Sequence, residues 1–91
     1  MGSTAGTLSW QPHANDAQFL HTFREWAQQD GIGCDEPKLG VYDATKTQFV
    51  VDLSGFSRNS KRVQTFIERC ASALKMNNIQ GVTVVVTELP M

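Results

Sequence analysis

The chain has 91 residues, is 41% hydrophobic and 19% charged, and carries a formal net charge of -1. That hydrophobic fraction is too high for intrinsic disorder, and the length suits one compact core. No apolar run approaches the ~20 residues of a membrane span, and a charge so near zero argues against a dedicated nucleic-acid binder, which needs excess Lys and Arg to neutralise phosphates.

Residues 1–6 have no basic start and no apolar stretch after it, so they predict a flexible end rather than a secretory signal. A single α+β domain is expected over residues 7–89. Residues 6–11 place Leu8 and Trp10 on one face and Thr7, Ser9 and Gln11 on the other. This period of two predicts a half-buried first strand, which Pro12 stops because it cannot donate to a ladder. Asn15 then offers an N-cap, with Gln18 three residues later as a variant of the capping box. Phe19, Leu20, Phe23, Trp26 and Ala27 follow as one apolar stripe of a helix. Asp16, His21, Arg24, Glu25 and Gln28 fall on the other side, and Gly31 ends the helix in a left-handed conformation.

Residues 31–37 read as a loop. Leu39, Val41 and Asp43 alternate with Lys38, Gly40 and Tyr42, predicting a second strand. Asp43-Ala44-Thr45-Lys46 has Asp at the favoured first position of a type I turn. Phe49, Val51 and Leu53 alternate with Gln48, Val50 and Asp52 as a third strand, which makes an antiparallel hairpin with the second. Ser57 or Ser60 caps a second helix with the stripe Val63, Phe66, Ile67, Cys70, Ala71 and Leu74, and Asn77 and Asn78 close it. Residues 82–88 form the most strand-like run of the chain, and Pro90 ends it.

Strand, helix, strand, strand, helix, strand is the pattern of a ferredoxin-like βαββαβ sandwich. Right-handed crossovers put both helices on one face of a four-stranded antiparallel sheet, with the first and third strands central. The expected core is Leu8, Trp10, Leu39, Val41, Phe49, Val51, Leu53, Val82, Val84 and Val86 against the helical stripes. Trp26 and Phe66 are expected as core residues rather than binding aromatics.

Two surfaces are candidates for function. The sheet face away from the helices is expected to be open, and Tyr42, Val50, Thr83, Val85 and Thr87 are its candidate interface for another protein or a second copy. An RNA-binding sheet stacks bases on aromatics of the central strands. Ser9, Gln48, Val50 and Asp52 stand there instead. The second surface is the start of the second helix, where Arg58, Lys61 and Arg62 bring three of the eight basic residues together beside Ser57 and Ser60. Free N–H groups and the positive end of the helix dipole attract anions at such a place, and cations there oppose the dipole. The spacing matches no P-loop.

Catalytic and metal signals are weak. His13 and His21 have no Ser, Cys or Asp at a triad-like spacing. Cys34 and Cys70 form no CxxC pair, and Asp30, Asp35 and Glu36 lack the alternating oxygens of a calcium loop. Heavy-metal-binding ferredoxin-like modules need two close cysteines, and acylphosphatases need a Gly-rich cradle after the first strand, where Gln11-Pro12-His13 stands. Cys70 falls in the helical stripe as a small core residue, and Cys34 reads as an ordinary loop thiol. Unpaired thiols fit a reducing compartment such as the cytoplasm. The expectation is a small non-enzymatic interaction or regulatory module without cofactor, metal or membrane. The alternative is a binder of phosphate-bearing ligand or nucleic acid through the basic helix start.

Overall fold

The computed structural model describes residues 3–34, 43–53 and 60–89. Along them run β1 (Ser3–Trp10), α1 (Asp16–Gln29), β2 (Gly33–Cys34), β3 (Thr47–Asp52), α2 (Lys61–Met76) and β4 (Thr83–Leu89). The strands form one antiparallel sheet in the order β2-β3-β1-β4, the ferredoxin-like arrangement the sequence predicts.

Central β1 sets the layers. Leu8 lies between Phe49 and Val84, and Gly6 between Val51 and Val86. Leu8, Trp10, Phe49, Val51 and Leu53 meet the buried faces of the helices, which are Phe23 and Ala27 of α1 and Val63, Phe66, Cys70 and Leu74 of α2. Phe23 sits at the aromatic centre, with Trp10 edge-on at 6.0 Å, Phe49 at 5.8 Å and Trp26 at 5.6 Å between ring centroids. Phe66 joins this cluster through Phe49 at 6.4 Å. Each such side chain contributes roughly 1.5–3 kcal/mol by leaving water. Trp26 is only half-buried, and its outer face is covered by the Arg69 guanidinium, 3.8 Å from the ring centroid. It is therefore a boundary residue rather than the core residue expected.

Both helices end by the same device. Gly31, at φ 69°, donates to Gln28 O, and Ile32 donates to Ala27 O. Asn78, at φ 61°, donates to Lys75 O, and Ile79 donates to Leu74 O. These are Schellman closures, in which a left-handed residue turns the chain and the next side chain folds back onto the helix. Ile32 and Ile79 are thereby buried. Sequence periodicity misses them because they lie just beyond the periodic stripes. At the other ends, Ser60 caps α2 by accepting from the Val63 N–H at 3.5 Å. Asn15 holds the N-cap position of α1, but its side chain makes no cap bond.

Several expectations need correction. Residues 3–6, expected as a flexible end, belong to β1 and pair with residues 86–89. A ladder is made of main-chain bonds, so small polar residues join it when a neighbour strand is waiting. Gln11 lies past the strand and donates its N–H to Gln80 O. Strand β2 falls at Gly33–Cys34, inside the stretch read as a loop, where it pairs with Asp52 and Val51. The residues from Lys38 to Tyr42 of the expected second strand, with Leu39 and Val41 among them, lie outside the described residues. The turn is present: Lys46 donates to Asp43 O at 3.1 Å, and the Asp43 carboxylate accepts from the Thr45 N–H at 2.9 Å and the Thr45 hydroxyl at 2.6 Å. Val84 and Val86, expected in the core, are 43% and 57% exposed. They face the helix side but lie on an edge strand, and the helix layer is centred on β1 and β3.

Candidate functional site

The edge strand is the feature that departs furthest from an ordinary surface. β4 pairs with β1 without interruption from Ser3↔Leu89 to Ser9↔Thr83, so no bulge bends it. No described strand lies beyond it. Val84, Val85 and Val86 are consecutive, stand on alternating faces, and are 43%, 54% and 57% exposed. Folded proteins usually blunt such an edge with Lys, Pro or a bulge, because its unpaired N–H and C=O groups template further pairing. Residues 83–87 contain neither charge nor Pro.

The face away from the helices is less open than expected. Thr7 and Ser9 point to it but are only 5% and 6% exposed. They are short side chains in a central strand, flanked by larger neighbours. Val50 and Val85 stand on either side of Thr7, and Gln48 and Thr83 on either side of Ser9. The Gln48 amide nitrogen reaches Ser9 Oγ at 3.4 Å, and its oxygen accepts from the Asp43 N–H at 2.8 Å. The structure thus brings Val50, Thr83 and Val85 of the predicted interface onto neighbouring rows. Thr87 pairs with Ala5, and Tyr42 lies outside the described residues. The larger apolar side chains of this face are Val50 of β3 and Val85 of β4, on either side of Thr7, while Val84 and Val86 face the helix side.

At the start of α2, Ser57 and Arg58 lie outside the described residues. Lys61 and Arg62 are exposed, and no acid occupies the first turn. Ser60 serves the helix as its cap, which occupies one of the donors an anion would use. A third feature is a groove of about 300 Å³ between α1 and α2, lined by Phe19, Phe23, Trp26 and Ala73 with the amides of Asn15, Gln18 and Asn77. It has ligand-like size, but no titratable side chain lines it. The Asn77 amide is already donated to Ala73 O at 2.7 Å.

One polar cluster that the sequence did not reveal lies at the end of β1. Asp16, the first residue of α1, accepts from Trp10 Nε1 at 2.7 Å and from the His13 N–H at 3.0 Å, and also from the Thr47 hydroxyl. Burial pulls its carboxyl upward, but the bonds from Thr47, Trp10 and His13 outweigh that and hold it below the ordinary carboxylate value. Its three partners come from β1, β3 and the connection between β1 and α1, so it fastens the fold. Only the residues 10 and 47 being brought together makes the cluster, which is why periodicity cannot find it. His13 Nδ1 accepts from the Asn15 N–H at 3.1 Å, which keeps that ring in the same turn. Burial pushes the Cys70 thiol up to about 12, so it stays protonated and unreactive. Cys34 lies on β2, not in a loop, and neither cysteine forms a disulfide. Among the described residues no group of His, Cys, Asp and Glu is placed to hold a metal, and no helix is long and apolar enough to cross a membrane.

No protein-family model matches the chain, and no curated protein and no solved structure matches it either.

Proposed function

We propose that this chain is a small non-enzymatic protein-interaction module whose working surface is the outer edge of β4. The observation that carries the reading is the run Val84-Val85-Val86, exposed on both faces of an edge strand whose residues 83–87 hold no charge and no Pro. An extended segment added to such an edge gains main-chain bonds along its length, and the alternating side chains supply selectivity. A reducing compartment such as the cytoplasm fits two cysteines without a disulfide.

The test compares the parent with Val85→Lys as immobilised baits in lysate of the host. The variant is expected to keep the parent's circular dichroism and lose the parent's bound proteins. A variant that folds and captures the same set as the parent overturns the reading.

A further inference from the structure

We infer that the occupant of the β4 edge is a second copy of the same strand, paired antiparallel about a two-fold axis at Val85, so that two sheets join into one of eight strands. This rests on the reading of β4 as an interaction edge and adds the identity of its partner.

The outer edge of β4 is self-complementary. Residues 83–87 read Thr-Val-Val-Val-Thr, the same in both directions. Antiparallel pairing about Val85 sets Val85 opposite itself, Val84 opposite Val86, and Thr83 opposite Thr87. Every position then meets its own kind, as an isologous contact requires. β-branched residues directly opposite one another are favourable cross-strand pairs. No charge lies in the five residues, so copies do not repel each other along the ladder. The uninterrupted register of β4 with β1 keeps the strand straight enough to receive a partner over that length. A foreign strand asks for no palindrome in this chain; a second copy does.

The pairing also covers the residues the fold leaves bare. Val84 shares a small apolar hollow with Gly6, Ile67 and Cys70 on the helix side of the sheet. Val86 of the copy, placed next to Val84, extends that apolar row across the axis. The contact is a strand edge and three half-exposed valines, smaller than the ~800 Å² per partner of a standard interface. The dimer is therefore expected to dissociate on dilution.

Sedimentation equilibrium of the full chain across a concentration series tests this. The expected result is a reversible monomer–dimer equilibrium. Val85→Lys and Val85→Glu should each weaken association by on the order of 100-fold or more, because the axis sets each new charge against itself. Mixed one to one, they should dimerise again. Val85→Cys tests the axis without a charge. Paired Cα atoms lie about 4.5–5.5 Å apart in an antiparallel ladder, within disulfide reach, so mild oxidation should cross-link it. Val84→Cys alone, opposite Val86, should cross-link no more than the parent under the same oxidant.

A parent that stays monomeric up to about 0.5 mM, well above the micromolar range of modest affinities, overturns self-pairing. So does a dimer that Val85→Lys leaves unchanged. The two readings separate at that point. If the monomeric parent still captures lysate proteins that Val85→Lys loses, the edge works on a foreign partner and only the second copy is refuted. If the two capture the same set, the β4 reading falls as well.

Discussion

Strand β1 carries two large apolar side chains in eight residues, Leu8 and Trp10, while β4 carries four in seven, Val84, Val85, Val86 and Leu89. They lie side by side in one sheet, yet every β1 residue from Ala5 to Trp10 is buried and the three valines of β4 are about half exposed. Hydropathy therefore does not rank these strands by burial; place in the sheet does. A central strand is shaded by neighbours on both sides, so even Thr7 and Ser9 lose their water. An edge strand has one such neighbour. Apolar residues on a strand with one neighbour stay about half exposed and add little to the isolated fold.

Substitutions along the two strands can break this contrast. Trp10→Ala should have the largest effect, about 3–5 kcal/mol, because it empties the site beside Phe23 and also removes a donor from Asp16. Phe66→Ala, across the core, belongs to the same range. Urea unfolding measures both, and a loss below about 1 kcal/mol for Trp10 would mean that β1 is not the anchor described here.

Asp16→Asn comes next, at about 1–3 kcal/mol near neutral pH, towards the lower end because the carboxylate is only half-buried. Its pH dependence is more telling than its size. The folded carboxyl titrates below its ordinary value of about 3.9. Its contribution is therefore present above about pH 4 and is lost as pH falls through the lowered folded value. Parent and variant should differ at pH 7 and converge in strong acid. A constant difference from pH 7 down to pH 2 would remove Asp16 from its role at the end of β1.

Gly6→Ala probes the centre of β1 from the helix side. An added Cβ would stand 3.1 Å from Leu53 Cδ1 and 3.2 Å from Val51 Cγ2, so these side chains must give way. A cost of about 1 kcal/mol is expected from such overpacking. The smallest effect belongs to β4. Val86→Ala, measured in dilute protein to keep it monomeric, should change stability by less than about 0.5–1 kcal/mol. A larger loss would show that the edge is packed by its own chain, and the contrast between the strands would disappear.

Both helices, their stripes and the strand order were legible in the sequence, because period and turn chemistry are local. Val63, Phe66, Cys70 and Leu74 keep the helical spacing that predicts their burial. What escaped depends on distant partners. Residues 3–6 have no apolar alternation, and only the ladder to residues 86–89 makes them strand. Gly33 and Cys34 become β2 by meeting Asp52 and Val51. Val84 and Val86 have the pattern of core residues, and no local feature tells how far the helix layer extends. Of the predicted surface residues, Val50, Thr83 and Val85 were placed on one side of the sheet by alternation alone. The strand order already put β4 at an edge; how far its valines stay exposed there depends on the extent of the helix layer.

The central position of β1 also has a consequence in time. Leu8 must wait for Phe49 and then Val84 before both its neighbours exist. At synthesis rates of about 5–20 residues per second, the partner on the β4 side follows by roughly 4–15 s. Through that interval the middle of the sheet has a vacant flank, and pairings so remote in sequence are slow to find. The half-exposed apolar run of β4 is made after every other described strand. The nascent chain therefore shows Val84-Val85-Val86 only when β1 is already there to take one of its two edges.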